Sequence, residues 1–144
     1  MSTRSRIGIE IEKGKYKHIY CHFDGYPENN GVLLIDNYKD RDKIEKLINL
    51  GDISYLAENV EPDPNYEHSF DGKKQEGVVL AYGRDRGETD IDAQIGSLKD
   101  MAGGWIEYIY VYSLDNKWLY ADTYYKPLKL KDLKTKVDKI KKEE

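Results

Sequence analysis

Hydrophobic and polar positions alternate strictly in two stretches near the start of the chain, with the period of a half-buried β-strand. Isoleucines occupy every second position of residues 7–12. Residues 16–23 carry Ile19, Cys21 and Phe23 on one side and polar aromatic groups on the other. Because a Lys-Gly-Lys turn separates the two stretches, the pattern predicts a β-hairpin.

The next segment has helical periodicity. Residues 32–38 form an apolar run that predicts a short helix, and residues 53–56 predict one further helical turn. Between them, Asp40 or Asp42 supplies an N-cap and Gly51 a stop signal for a longer helix. The buried stripe of that helix has helical spacing and consists of Ile44, Leu47, Ile48 and Leu50.

The second half of the chain alternates between loops and strand-forming runs. Residues 60–77 contain prolines and glycines with few apolar groups, which predicts a long loop. Ser97 caps a short predicted helix, and a last helix with an apolar stripe follows Pro127. Strands are predicted at residues 78–82, 89–96, 105–114 and 118–125, of which the last two form a second hairpin.

Helices and hairpins in mixed order predict an α+β fold. We expect a single domain with an antiparallel or mixed β-sheet built from hairpins and with helices packed on one face. In this interpretation residues 1–125 form the core domain, and residues 126–144 form a lysine-rich C-terminal helix that docks on the core or extends from it. A length of 144 residues suits one domain with one hydrophobic core.

The length of the apolar runs and the distribution of charge exclude several classes of protein. No apolar run reaches the length of a membrane span or a secretion leader, so the sequence predicts a soluble, cytoplasmic protein. The net charge is −4, but residues 58–92 hold ten carboxylates against four cations, while residues 126–144 hold eight lysines against four carboxylates. This acidic body disfavours direct nucleic-acid binding. The acidic stretch either faces a basic partner or is a solvated loop.

Aromatic and cysteine usage point to binding surfaces more than to catalysis. The chain has 13 tyrosines and two phenylalanines, and tyrosine suits interfaces and ligand clefts as well as ordinary strand surfaces. Cys21 is the only cysteine, which excludes an internal disulfide and a structural zinc site of several thiolates. Its predicted apolar surroundings disfavour a reactive thiolate. No serine lies in a Gly-x-Ser-x-Gly element, so the sequence disfavours nucleophilic catalysis, and we predict no catalytic residue and no cofactor.

The residues with the most varied chemistry lie where the second predicted strand runs into a turn. His18, Tyr20, His22 and Asp24 share one face because their spacing is two residues, and Tyr26 follows in the turn. His22 and Asp24 could bind a metal ion, act as a base with its orienting carboxylate, contact a ligand, or only stabilise the loop. A full metal site needs a further ligand, so we predict a ligand-binding role for Tyr20, His22, Asp24 and Tyr26 and no metal.

Four arginines form a second candidate group. Arg4 and Arg6 alternate at the start of the first strand, and Arg84 and Arg86 alternate after the 78–82 strand. If the two strands adjoin, these guanidinium groups line one edge suited to the phosphates of a nucleotide, with Tyr82 or Tyr124 stacking on a base. The alternative is salt bridging to the acidic residues nearby, namely Asp85, Glu88 and Asp90.

Several motifs resemble those of a group of small proteins common in phage and prophage genomes. They are STRSRIG at residues 2–8, IYCHFDGYP at residues 19–27, LGDIS at residues 50–54 and RDRGE at residues 84–88. The resemblance spans about residues 2–120. It carries no settled activity and no catalytic residues, but it implies a phage accessory protein that acts in the cytoplasm of a bacterial host.

Phage origin and composition together lead to a functional hypothesis. We expect a non-enzymatic, homo-oligomeric anti-defence protein that inhibits a host immune factor, such as a CRISPR effector or a restriction enzyme, by binding it. The alternative is a sponge that sequesters a cyclic nucleotide or an ADP-ribose-type immune signal. A metal-dependent hydrolase using His22 and Asp24 is a third hypothesis. Because the acidic segment is the larger feature, the sequence favours protein-targeted inhibition.

Overall fold

The computed structural model describes residues 2–143. Its helices are α1 (Val32–Asn37), α2 (Arg41–Asn49), α3 (Tyr82–Arg86), α4 (Leu98–Met101) and α5 (Leu133–Lys142), and a π-helical turn, Pro27–Gly31, leads into α1. Its strands are β1 (Ser5–Glu12), β2 (Lys15–Cys21), β3 (Ile53–Tyr55), β4 (Leu80–Ala81), β5 (Gln94–Gly96), β6 (Tyr108–Tyr112), β7 (Trp118–Asp122) and β8 (Lys131–Asp132). No helix in the described range is long and apolar enough to cross a membrane.

The strands form one mixed sheet in the order β4-β3-β2-β1-β6-β7-β8, and β5 pairs with β2 beside β3. The β1–β2, β6–β7 and β7–β8 pairs are antiparallel, whereas β1 and β6 run parallel at the centre. The predicted α+β class and mixed sheet are therefore confirmed. Since β1 and β6 are parallel, the starts of β1 and β6 and the ends of β2 and β7 meet at one end of the sheet.

The predicted first hairpin is confirmed, with Ile7 opposite Ile19 and Ser5 opposite Cys21. The alternation explains why it forms, because every second side chain can be buried on one face while the backbone completes its ladder. Gly14 takes φ +75° in the turn, and the Glu10 carboxylate accepts a hydrogen bond from its N–H at 2.9 Å.

Three helices cover one face of the sheet. Asp40, one of the two predicted candidates, caps α2 by accepting the Lys43 N–H at 2.9 Å. α5 packs against α1 and β7, and an ion pair of 2.6 Å joins Lys141 to Asp36. The fully buried apolar side chains that these helices give to the main core are Leu34, Ile44, Leu47, Ile48, Leu133 and Val137.

The opposite face of the sheet is covered only in part, by the short helix α4. Ser97 and Asp100 form a capping box at its start, which confirms the predicted Ser97 cap. Met101 is fully buried there beside His18. Gly8 makes this approach possible, because a Cβ at that position would lie 3.0 Å from both His18 Cβ and Met101 Cε.

Two local predictions are wrong, one for the end of β2 and one for residues 53–56, which pair with the chain just beyond β2. Residues 53–56 do not form a helical turn but contain β3, because the chain beyond β2 pairs with them: the N–H groups of His22 and Phe23 donate to the carbonyls of Ile53 and Ser54 at 3.1 and 2.9 Å. Phe23 does not join the apolar side, since β2 ends at Cys21 and the Phe23 side chain is exposed.

Candidate functional site

The part of the sheet that α4 leaves open carries a cluster of guanidinium groups and aromatic rings. These side chains come from β1 and the residue before it, from β2 and the residue after it, from the long loop before β4, and from α3. We call the cluster the arginine–aromatic face, and it consists of Arg4, Arg6, Tyr20, His22, Phe70, Tyr82 and Arg86.

The hairpin builds the first half of this face. Arg6 lies directly opposite Tyr20 in the β1–β2 register, and its guanidinium carbon is 5.9 Å from the centre of the Tyr20 ring. The Tyr20 hydroxyl is hydrogen-bonded to His22 Nδ1 at 2.6 Å. Arg6 also donates to Nδ1 of the buried His18 at 3.1 Å. These contacts hold a cation, a phenol and an imidazole side by side.

The long loop and α3 build the second half. The rings of Phe70 and Tyr82 stack with their centres 5.4 Å apart and their planes inclined by 18°. The Arg86 guanidinium carbon lies 4.5 Å from the centre of the Phe70 ring and 5.2 Å from that of Tyr82. Glu88 accepts a hydrogen bond from Arg86 Nε at 2.7 Å. This arrangement presents a flat cation and two rings at the surface.

The two halves influence each other electrostatically. Burial raises the pKa of Tyr82, the neighbouring Tyr20 raises it further, and Arg86 opposes the rise. Burial likewise raises the pKa of Tyr20, against the effects of Arg4 and Arg6. Both phenols therefore stay protonated near neutral pH and can donate hydrogen bonds.

Asp52 supports the hairpin half from the edge of β2. Its carboxylate accepts the Tyr20 backbone N–H at 2.9 Å. Burial raises its pKa, and the charge of Arg6 opposes that rise. Burial also lowers the pKa of Arg6, and Asp52 opposes this in turn. The face therefore combines three guanidinium groups with neighbouring carboxylates that include Asp52 and Glu88, and its guanidinium groups are suited to an anionic ligand.

The predicted site residues Asp24 and Tyr26 lie apart from this face. Asp24 and Tyr26 are exposed in the turn after β2, where the Tyr26 hydroxyl donates to the Asp24 carboxylate at 3.4 Å. Asp24 has φ +57°, and its backbone carbonyl accepts from the Asn29 amide at 3.1 Å. The observed contacts of this pair stabilise the turn.

The predicted single edge of four arginines is wrong. Arg84 and Arg86 lie on the helix α3, where side chains two positions apart do not share a side, and β4 is separated from β1 by β3 and β2. Arg84 donates to the carbonyls of Val60 and Val79, both at 2.6 Å. It also donates to the Asp85 carboxylate at 2.9 Å, so its guanidinium group holds the long loop.

Sequence reasoning missed Phe70 and Asp52. Phe70 is one of only two phenylalanines and stands in an otherwise polar loop, which is a usable signal for a contact made elsewhere in the fold. Asp52 follows Gly51 in a turn, and no local pattern links it to Tyr20, which lies 32 positions earlier.

The groups available for chemistry beyond binding are few. Cys21 is fully buried, and burial raises the pKa of its thiol to about 11, as its predicted apolar surroundings implied. His68 lies apart from the other imidazoles, with Nε2 2.9 Å from the Val79 carbonyl. Within residues 2–143, no three side chains of the metal-ligating types are grouped to hold an ion.

A groove lies on the helix-covered face, between α1, β7 and α5. Its volume is about 840 Å³, and its floor includes the buried rings of Tyr38 and Trp118. The Asp36–Lys141 ion pair stands at its rim. The residues that the sequence predicts for ligand binding do not line it, so the groove and the arginine–aromatic face are separate features.

Comparison with known proteins gives no relative: no family model, curated protein or solved structure matches the chain significantly.

Proposed function

We propose that this chain is a phage-derived, non-enzymatic anti-defence protein, and that its arginine–aromatic face sequesters an anionic immune signal of the cyclic-nucleotide or ADP-ribose type. The observation that carries the proposal is that a guanidinium group lies over an aromatic ring in each half of this face, with Arg6 5.9 Å from the centre of the Tyr20 ring and Arg86 5.2 Å from that of Tyr82. Phage origin rests on the sequence motifs described above.

The chemistry of the face matches the two parts of such a ligand. Guanidinium groups bind phosphate oxygens through charge-assisted, often bidentate hydrogen bonds. Aromatic rings and guanidinium planes stack on a base, with a gain of about 1–3 kcal/mol for each stacked base. The phenols of Tyr20 and Tyr82 are protonated near neutral pH, as phenols ordinarily are, so they add no negative charge to the face. Sequestration needs only tight binding, so a site without a nucleophile suits it.

Ligand-induced stabilisation tests the proposal directly. We expect ADP-ribose or a cyclic dinucleotide to raise the melting temperature of the protein, because a ligand at about 100 times its Kd adds about 2.7 kcal/mol to stability. Replacing both Arg4 and Arg86 by alanine should lower affinity at least tenfold, since each lost charge-assisted contact costs about 1.5–3 kcal/mol. Arg84 is unsuitable for this test because its loss would free the long loop.

Arg41→Ala is the matched control. In the wild-type protein the Arg41 guanidinium carbon also lies over a tyrosine ring, 5.3 Å from the centre of Tyr112, but on the helix-covered face. This variant should bind ligand with unchanged affinity. Thermal shifts measured separately with adenosine and with pyrophosphate show how much of the stabilisation comes from stacking on the base and how much from contacts with the phosphates. An absent thermal shift with every ADP-ribose and cyclic nucleotide probe would refute sequestration.

The acidic segment favours a second candidate function, inhibition of a host defence protein such as a CRISPR effector or a restriction enzyme. Its exposed carboxylates without an ion pair to another described residue are Glu58, Glu61, Glu67, Asp71, Glu76, Asp90 and Asp92. A concentration of one sign of charge attracts a basic surface, with a rate and affinity that fall as salt rises.

The second candidate predicts a salt-sensitive protein partner. In pull-downs from phage-infected host lysate, the triple variant Glu67→Gln, Asp71→Asn and Glu76→Gln should bind that partner about tenfold more weakly, given roughly 0.5 kcal/mol for each exposed charge. The control carries the same change of charge elsewhere, at Glu12→Gln, Glu45→Gln and Asp115→Asn, which are also exposed. Equal recovery by both variants would contradict this function.

A further inference from the structure

Three large aromatic side chains are exposed at one end of the sheet. The exposed fractions are 81% for Trp105, 83% for Tyr124 and 64% for Tyr125. They belong to adjoining segments, because the Thr123 N–H donates to the Glu107 carbonyl at 3.0 Å just beyond the paired part of β6 and β7. We call these three side chains and the polar groups around them the aromatic end.

We propose that the aromatic end is the surface through which two copies of this chain form a two-fold symmetric dimer. Exposed aromatic clusters of this kind mark interaction sites, since tyrosine and tryptophan combine a large contact area with little loss of rotamer entropy. The proposal is independent of the ligand that the arginine–aromatic face binds.

The shape of the aromatic end provides both a projection and a recess. A cavity of about 240 Å³ is lined by the rings of Tyr108, Tyr120 and Tyr125. The Tyr124 ring stands beside it, with its centre 5.2 Å from that of Tyr125. In a symmetric dimer, the projecting ring of each copy can enter the recess of the other, because both copies use the same patch.

The charges of the aromatic end favour a second copy over other partners. Carboxylates of Glu28, Glu107 and Asp122 line its cavities together with the ammonium groups of Lys131 and Lys136. None of these five forms an ion pair with another described residue. A patch that holds both signs is complementary to itself after a two-fold rotation, whereas a nucleic acid or a uniformly charged protein would meet repulsion.

The available area is consistent with such a dimer. A large aromatic side chain buries about 150–250 Å² when fully covered. At the observed exposures, the three rings supply roughly half of the 800 Å² or so that each partner contributes to a standard interface. The surrounding polar groups can supply the rest.

The test measures molar mass by light scattering and tryptophan emission over about 1–200 µM protein. We expect mass to rise to twice that of the chain and the Trp105 emission to shift to shorter wavelength as its ring leaves water. Trp118 is buried and its indole N–H donates to the Tyr38 carbonyl, so its emission stays constant. Trp105→Phe should abolish the spectral shift but keep the dimer.

Three variants distinguish dimerisation through the aromatic end from non-specific association. The triple variant Trp105→Ala, Tyr124→Ala and Tyr125→Ala should remain monomeric, and Tyr124→Ala alone should weaken the dimer at least tenfold. The control, Ile11→Ala with Leu114→Ala, removes side chains that are 41% and 49% exposed at the opposite end of the sheet and should dimerise normally. Monomeric wild-type protein across the range, or a triple variant with wild-type mass, would overturn the proposal.

Discussion

Gly51→Ala is expected to lower the free energy of unfolding by roughly 3 kcal/mol or more, which is a large share of the stability of a domain of this size. Gly51 has φ +78°, and a Cβ there would lie 2.2 Å from the Ile91 carbonyl oxygen. The next residue, Asp52, donates its N–H to the same oxygen at 2.7 Å. The backbone therefore cannot move away from the added methyl group without losing that bond.

Urea unfolding of Gly51→Ala measures the loss of stability. Gly87→Ala separates the two causes of that loss, which are the strain of a positive φ and the steric clash with Ile91. Gly87 has φ +74°, but a Cβ there meets no atom within 4 Å, so its replacement reports backbone strain alone. We expect about 1 kcal/mol for Gly87→Ala and a much larger loss for Gly51→Ala. Equal losses would show that the Ile91 contact can relax.

The turn at Gly51 supports the candidate site as well as the stability of the fold. Asp52 accepts the Tyr20 N–H, and Ile53 lies opposite Cys21 at the end of β2. Displacing this turn would shift the segment that supports the hairpin half of the arginine–aromatic face. A partly folded Gly51→Ala protein should therefore lose ligand-induced stabilisation together with cooperative unfolding.

Acidification is expected to destabilise the protein through His18 by about 2.5 kcal/mol between about pH 7.5 and 4.5. Burial and, to a smaller extent, the charge of Arg6 lower the pKa of His18 to about 4, against the opposing charge of Asp100. The side chain is only 1% exposed, and Nδ1 accepts a hydrogen bond from Arg6. A proton at Nδ1 would remove that acceptor and place two cations side by side.

Proton linkage explains why acidification lowers the free energy of unfolding. Above the unfolded pKa of about 6.5, His18 is neutral in both states and costs nothing. As pH falls from there to the folded pKa, the unfolded chain binds a proton that the folded protein does not, so unfolding becomes more favourable. Below the folded pKa the penalty is complete and stays constant.

His18→Asn isolates this contribution, because the asparagine Oδ1 takes the place of Nδ1, can still accept from Arg6 and does not titrate. Comparing urea unfolding of both proteins at the two pH values cancels the carboxylates that titrate in each, such as Asp132, whose pKa is lowered by its hydrogen bonds to Thr135. We expect wild type to lose about 2.5 kcal/mol more than the variant on acidification. Parallel losses would assign the acid sensitivity to other groups.

The candidate site was only partly predictable. The two-residue period placed Arg6, Tyr20 and His22 on one side of the hairpin, and the structure keeps them together. Arg86 joins this face, whereas Arg84 holds the long loop, since α3 turns the two side chains apart. Periodicity assumed a strand there, and a strand would have kept them together.

Sequence alone determined those features that depend on near neighbours. Alternation fixed the first hairpin and its buried face, Asp40 and Ser97 marked helix starts, and mixed element order gave the α+β class. Tertiary structure decided the rest. β3 formed where a helical turn was expected because β2 offered it backbone partners, and Phe70 reached Tyr82 across the fold. The physical reason is that local patterns report which side of an element is apolar, whereas pairing and stacking between distant segments depend on their closure in space.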